Sequence, residues 1–89
     1  MWIWMAQRIP TARRAQIKEQ RRRAQEVKAL GRELKNTFTA LRENDSLFQL
    51  ATDAFYIEQL IYERAALLCH SRTLLRALRV RLADAGDGA

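Results

Sequence analysis

The sequence has few of the residues that interrupt helices. Its 89 residues include three glycines and one proline, and Gly86 and Gly88 both fall within the last four positions. Ala, Leu, Arg, Gln and Glu, which form helices readily, are abundant instead. The composition therefore favours long α-helices and argues against a turn-rich fold.

Cysteine and long apolar runs are also scarce. The single cysteine, Cys69, excludes an internal disulfide and any CxxC motif. A lone thiol is typical of a reducing compartment, and we expect a cytoplasmic protein. No run approaches the ~20 apolar residues that a membrane-spanning helix requires.

The chain opens with an apolar leader, residues 1–9, that begins MWIWM. Positive charge follows this stretch instead of preceding it, which is the reverse of a secretory signal. The leader could form a short third helical segment that covers the end of the second helix, or it could anchor a partner protein. Trp2 and Trp4 are also residue types that lie at membrane surfaces, so a membrane anchor is the third alternative.

The remaining chain is typical of two helices in a single domain, residues 1–89. Pro10 suits a helix entrance, and we expect the first helix over about 11–43. The sequence Glu43-Asn44-Asp45-Ser46 predicts an elbow, because Ser46 and Gln49 match a capping box. The second helix is expected over about 47–83, followed by a flexible tail at 84–89. Two helices with so short a connection must run antiparallel, so the predicted fold is an all-α two-helix hairpin.

Apolar residues repeat every seven positions on both helices, which predicts a packed seam. On the first helix the repeat holds Ile17, Ala24, Gly31 and Phe38 at one position, and Gln20, Val27, Leu34 and Leu41 at the other. On the second helix it holds Leu47, Ala54, Ile61, Leu68, Leu75 and Leu82 at one, and Leu50, Ile57, Arg64, Ser71 and Leu78 at the other.

The predicted elbow also fixes which residues should face each other across the seam. Opposite charges agree with that register, and a glycine opposite a branched side chain would let the two backbones approach closely. The expected pairs are Lys35 with Asp53, Lys28 and Arg32 with Glu58, and Gly31 with Ile57.

The second helix has more apolar residues than one neighbouring helix can cover. Large exposed apolar surfaces usually mark interaction sites, so we expect self-association, most simply a dimer that forms a four-helix bundle. The expected protein interface consists of Phe48, Phe55, Leu60, Tyr62, Leu67 and Leu74.

No residues form a recognisable catalytic or metal-binding pattern. His70 follows Cys69 directly, and adjacent helical residues do not share a face. The acids Asp53, Glu58 and Glu63 are spaced by five and spread around the helix. We expect no enzymatic activity, no metal site and no cofactor.

The formal charge of +6 is unevenly distributed, because residues 36–63 carry one Arg against five acids. The first helix is strongly basic, and its cations follow helical spacing. This row of cations, the basic ridge, could contact nucleic acid, lie on an anionic membrane or acidic protein, or simply be a solvated face. The candidate contact residues are Arg14, Lys18, Arg21, Arg22, Lys28, Arg32 and Lys35.

Residues 32–68 resemble the YaaL-like family, a group of small bacterial helical hairpins of unknown function. The matching pieces are REL at 32–34, ENDSL at 43–47, Ala51, Tyr62, Leu67 and Leu68. The elbow lacks the proline expected from that family, and the second tyrosine after Tyr62 is absent. The resemblance implies a small cytoplasmic bacterial protein and transfers no activity, site or named partner.

Overall fold

The computed structural model describes residues 11–87, which form two long helices and a three-residue elbow. Helix α1 spans Thr11–Leu50 and helix α2 spans Ala54–Asp87. The helices pack antiparallel into a rod with extents of 73 × 27 × 15 Å. The predicted all-α hairpin is confirmed. The leader, with Trp2 and Trp4, and residues 88 and 89 of the tail lie outside the described part of the chain.

The elbow lies at residues 51–53, so the predicted elbow at 43–46 is wrong. Asp53 caps α2, because its Oδ2 accepts a hydrogen bond from the backbone N–H of Tyr56 at 2.9 Å. Ser46 stays inside α1, where its hydroxyl donates to the carbonyl oxygen of Arg42 at 3.1 Å. Consequently α1 is longer than predicted, and α2 both begins and ends later.

The later elbow changes the register of the whole hairpin. Asn44 lies opposite Leu60, and Glu33 lies opposite His70. Asp53 belongs to the elbow, and Gly31 would have only open space around an added Cβ. The predicted facing pairs are therefore wrong: Lys35 with Asp53, Lys28 and Arg32 with Glu58, and Gly31 with Ile57.

Few apolar side chains are fully covered within the hairpin. Among the described residues, Leu60 is 1 % exposed and Leu74 is 4 % exposed, and these two make up the buried apolar core. Two helices can cover only one stripe of each other, so most apolar residues stay partly open to solvent. Such a hairpin buries much less than an ordinary domain of this length.

Three polar side chains, Thr37, Asn44 and Ser71, are also buried in the seam. The Thr37 and Ser71 hydroxyls donate to carbonyl oxygens of their own helices, of Glu33 and Leu68, each at 2.8 Å. Asn44 differs because its amide crosses the seam and donates to the carbonyl oxygen of Leu60 at 3.0 Å. All three groups are satisfied, as buried polar groups must be.

The seam confirms part of one predicted heptad position on each helix and corrects the other. Gln20, Leu50 and Arg64 of the partly confirmed position are exposed, and Leu47 and Leu50 belong to α1 instead of α2. Each helix is rotated so that the second position lies one residue earlier than predicted. The buried and half-buried seam residues are Val27, Leu30, Leu34, Thr37, Leu41 and Asn44 on α1, and Ile57, Leu60, Leu67, Ser71, Leu74 and Leu78 on α2.

Between residues 11 and 87, neither helix contains an apolar stretch long enough to cross a bilayer.

Candidate interaction surfaces

The seam separates two flanks of very different chemistry. One flank is marked by Glu33 and His70, whose Oε1 and Nε2 atoms lie 3.0 Å apart. The other is marked by the ion pair between Asp45 and Arg64, beside a shallow recess that Ile61 also lines. Residues seven positions apart return to nearly the same side of a helix. Each of these two contacts therefore shows which row of residues, spaced by seven, lies on its flank.

The apolar flank runs along the Asp45 side of the hairpin. Five of its side chains are large and apolar and remain between 36 and 57 % exposed to solvent. These are the residues that the sequence placed in the seam, and the rotation of both helices brings them to its edge. The apolar flank consists of Ile17, Ala24, Gly31 and Phe38 on α1, and Ile61, Leu68, Leu75 and Leu82 on α2.

Cations border this flank on both helices. Each lies three or four residues from a member of the flank, which makes it a neighbour on the helix surface. The bordering cations are Arg14, Arg21, Lys28, Lys35 and Arg42 on α1, and Arg72 and Arg79 on α2.

The opposite, acidic flank carries Glu19, Glu26 and Glu33 on α1, and Glu63, His70 and Asp84 on α2.

Arg22 belongs to this acidic flank and not to the basic ridge. It pairs with Glu19 and, through Nη1 at 2.6 Å, with Glu26. Glu26 also joins the two helices, because its Oε2 lies 3.1 Å from Arg81 Nη1. The hydrogen bonds and positive charge of Arg22 lower the pKa of Glu19, and Glu19 in turn raises the pKa of Arg22. Arg22 is therefore already paired within α1, and its predicted place among the contact residues stays a prediction.

The other predicted cations form one continuous row on the outer side of α1. Within residues 11–87, Lys18, Arg21, Lys28, Arg32 and Lys35 make no ion pair. The row also includes Arg42, which the sequence interpretation missed although it continues a seven-residue repeat. The cationic strip is Arg14, Lys18, Arg21, Lys28, Arg32, Lys35 and Arg42.

The residues of the predicted protein interface separate into two groups. Leu60 and Leu74 form the buried core of the hairpin, and Leu67 is half-buried in the seam, so these three do not form an exposed interface. Phe48, Phe55 and Tyr62 remain open to solvent; Phe55 is 82 % exposed.

The single histidine and the single cysteine of the chain lie in different surroundings. His70 contacts Glu33 across the seam, whereas Cys69 is an exposed free thiol. Residues 11–87 contain no group of three or more His, Cys, Asp or Glu side chains placed to hold a metal ion. The exposed surfaces of distinct chemistry in the described chain include the apolar flank and the charged rows beside it.

Comparisons with protein-family models, with curated proteins and with solved structures found no match. The resemblance to the YaaL-like family accordingly remains a prediction.

Proposed function

We propose that this chain is a non-enzymatic helical interaction module that self-associates through its apolar flank. The observation that carries the proposal is a row on both helices whose large apolar side chains stay 36 to 57 % exposed: Ile17, Phe38, Ile61, Leu75 and Leu82. Water-exposed apolar surfaces of this extent are characteristic of interaction sites. The dimer would be a four-helix bundle, with the apolar flank of each copy at its centre.

Three apolar positions per heptad support this architecture. A helix that packs against a single partner needs two such positions, whereas a helix inside a bundle uses a third at the edge of the seam. On α2 all three are present, for example at Ile57, Leu60 and Ile61. The flank rises about 30 Å along each helix, so two helices about 10 Å wide offer roughly 600 Å² per copy. That area is at the lower end for a specific dimer.

The charge distribution supports a dimer whose elbows lie at opposite ends. Residues 36–63, around the elbow, are acidic, whereas residues 11–35 carry nine Lys or Arg against three Glu. With the elbows at opposite ends, the acidic end of each copy lies over the basic end of the other. This arrangement also brings α1 against α1 of the second copy at Ala24 and Gly31, whose small side chains allow close approach. A Cβ added to Gly31 would meet no atom within 4 Å in the described hairpin.

Self-association is tested by sedimentation velocity at concentrations up to about 100 μM, comparing Leu75→Glu with Val80→Glu. Both positions are exposed apolar residues on α2, but Leu75 is on the apolar flank and Val80 is on the other side of the helix. A charge at Leu75 would be buried in the dimer, so this variant should weaken association at least 10-fold, which corresponds to 1.4 kcal/mol. Val80→Glu should associate like the unmodified chain.

A monomer at all concentrations would contradict the proposal, and so would equal effects of the two substitutions. The proposal also places the module in a reducing compartment such as the cytoplasm, since its one cysteine is an exposed thiol.

A further inference from the structure

We propose that the cationic strip of α1 binds the phosphate backbone of double-stranded nucleic acid. The strip extends from Arg14 to Arg42 on one uninterrupted helix, a rise of about 42 Å. This length exceeds one turn of duplex DNA, which is roughly 34–36 Å. Cations that are not neutralised by their own chain contribute most to the binding free energy when they replace the counterions of a polyanion.

The absence of internal ion pairs distinguishes most of this strip from the charges on the acidic flank. Arg22 and Arg23 are satisfied by Glu19, and Arg81 is satisfied by Glu26. By contrast, Lys18, Arg21, Lys28, Arg32, Lys35 and Arg42 make no ion pair with any residue of 11–87. Their charges repel one another along a helix, and a row of phosphates relieves that repulsion.

The side chains between the cations favour a duplex over a single strand. The strip is interrupted by Gln25, Thr39 and Ser46, which are polar, and it contains no aromatic residue. Without aromatic rings in the strip itself, the stacking of single-stranded bases is limited to Phe38 of the neighbouring apolar flank. A bilayer is the rival surface, because the half-exposed apolar flank lies beside the strip, and vesicles are therefore one of the competing ligands in the test. Contacts to phosphate alone carry no base sequence, so binding is expected to be independent of sequence.

This inference does not rest on self-association, because every residue of the strip lies on α1 of one copy. In the proposed dimer the two strips would border the same edge of the bundle, since each lies beside the apolar flank. Failure of the dimer would therefore leave the site intact, and failure of nucleic-acid binding would leave the dimer intact.

The test is fluorescence anisotropy with a 20-base-pair duplex DNA at salt concentrations from 50 to 200 mM. The strip variant is Arg21→Gln/Lys28→Gln/Lys35→Gln, and the control is Arg72→Gln/Arg76→Gln/Arg79→Gln on α2. Both remove three positive charges from residues without an ion pair in the described chain, so net charge is matched. Circular dichroism checks that both variants remain helical, and a single-stranded 20-mer and vesicles with 30 % anionic lipid are the competing ligands.

The expected result is duplex binding that weakens steeply with salt. The strip variant should bind roughly 100-fold more weakly at 100 mM salt, and the slope of log K against log salt should fall by about 3. The control should lose much less affinity. No binding at 50 mM salt would overturn the proposal, and so would equal losses in the two variants, which would indicate net charge alone. Tighter binding to the single strand or to the vesicles than to the duplex would also overturn it.

Discussion

Asn44 is the residue that most directly sets how the two helices are aligned. It is buried in an otherwise mostly apolar seam, and its amide donates to the carbonyl oxygen of Leu60 on the opposite helix. A slipped hairpin would bury this amide without a partner, which costs about 1–3 kcal/mol. A single buried asparagine is a common device for fixing the register of paired helices.

We expect Asn44→Ala to lower the free energy of unfolding by about 1–2 kcal/mol, because it removes a buried hydrogen bond and leaves a small cavity. Thermal unfolding at a fixed protein concentration, followed by circular dichroism, measures the change. Asn36→Ala is the matched control, since Asn36 is exposed on the same helix. Its replacement should raise stability by up to about 0.5 kcal/mol through helix propensity. Equal stabilities for the two variants would show that the Asn44 amide contributes nothing across the seam.

At the scale of the helices, the start of α2 is set by Asp53. Its carboxylate satisfies the backbone N–H of Tyr56, one of the donors that the first turn of a helix leaves without an internal partner. Ser46, which the capping-box pattern predicted in this role, instead hydrogen-bonds back to Arg42 within α1.

Asp53→Ala should therefore reduce the free energy of unfolding by about 1 kcal/mol, through loss of the cap. Ser46→Ala should leave it unchanged or slightly raised, because alanine is the better helix former within α1. Chemical denaturation of both variants under identical conditions gives the comparison. If Ser46→Ala proved the more damaging of the two, α2 would begin near residue 47 and the register described above would be wrong.

The helical hairpin was predictable because residues 11–85 contain a single glycine and no proline. The position of the elbow was not, because no glycine or proline marks it. Ser46 with Gln49 and Asp53 alone are both plausible caps, and the first matches the stronger sequence pattern. The residue that sets the start of α2 is Asp53, and the only sequence evidence for this role is its own side chain.

The apolar flank was visible in the sequence but was assigned to the wrong surface. On α2 the seven-residue repeat is apolar at three positions, exemplified by Ile57, Leu60 and Ile61. Any two neighbouring positions can form a seam, and periodicity alone does not choose between them. The choice depends on contacts across the hairpin, such as Asn44 with Leu60, and these follow from the elbow. The cationic strip, by contrast, needed only the spacing along one helix and was predicted apart from Arg22 and Arg42.

At the scale of the whole molecule, the arrangement of two copies can be measured from their elbows. The variant Cys69→Ser/Thr52→Cys places one spin label at the exposed elbow of each copy. With elbows at opposite ends of the bundle, double electron–electron resonance should give a distance of about 70 Å, from the helical rise on either side of Ala24 and Gly31. Elbows at the same end would give about 20 Å, the width of two helices.

Adding Leu75→Glu to the same labelled chain supplies the control, because the distance should disappear when the copies separate. A short distance would contradict the opposed arrangement and, with it, the role of the end charges in orienting the two copies. It would still be compatible with association through the apolar flank.

The separation of charge along the 73 Å rod also affects how the protein meets other molecules. With an acidic elbow and a basic open end, a single copy is a large electric dipole. In the field of a polyanion it experiences a torque that turns the open end forward before any contact is made. For a single copy, encounter rates should therefore depend strongly on ionic strength, and the elbow, with Phe55 and Tyr62, should point away from the polyanion during the approach.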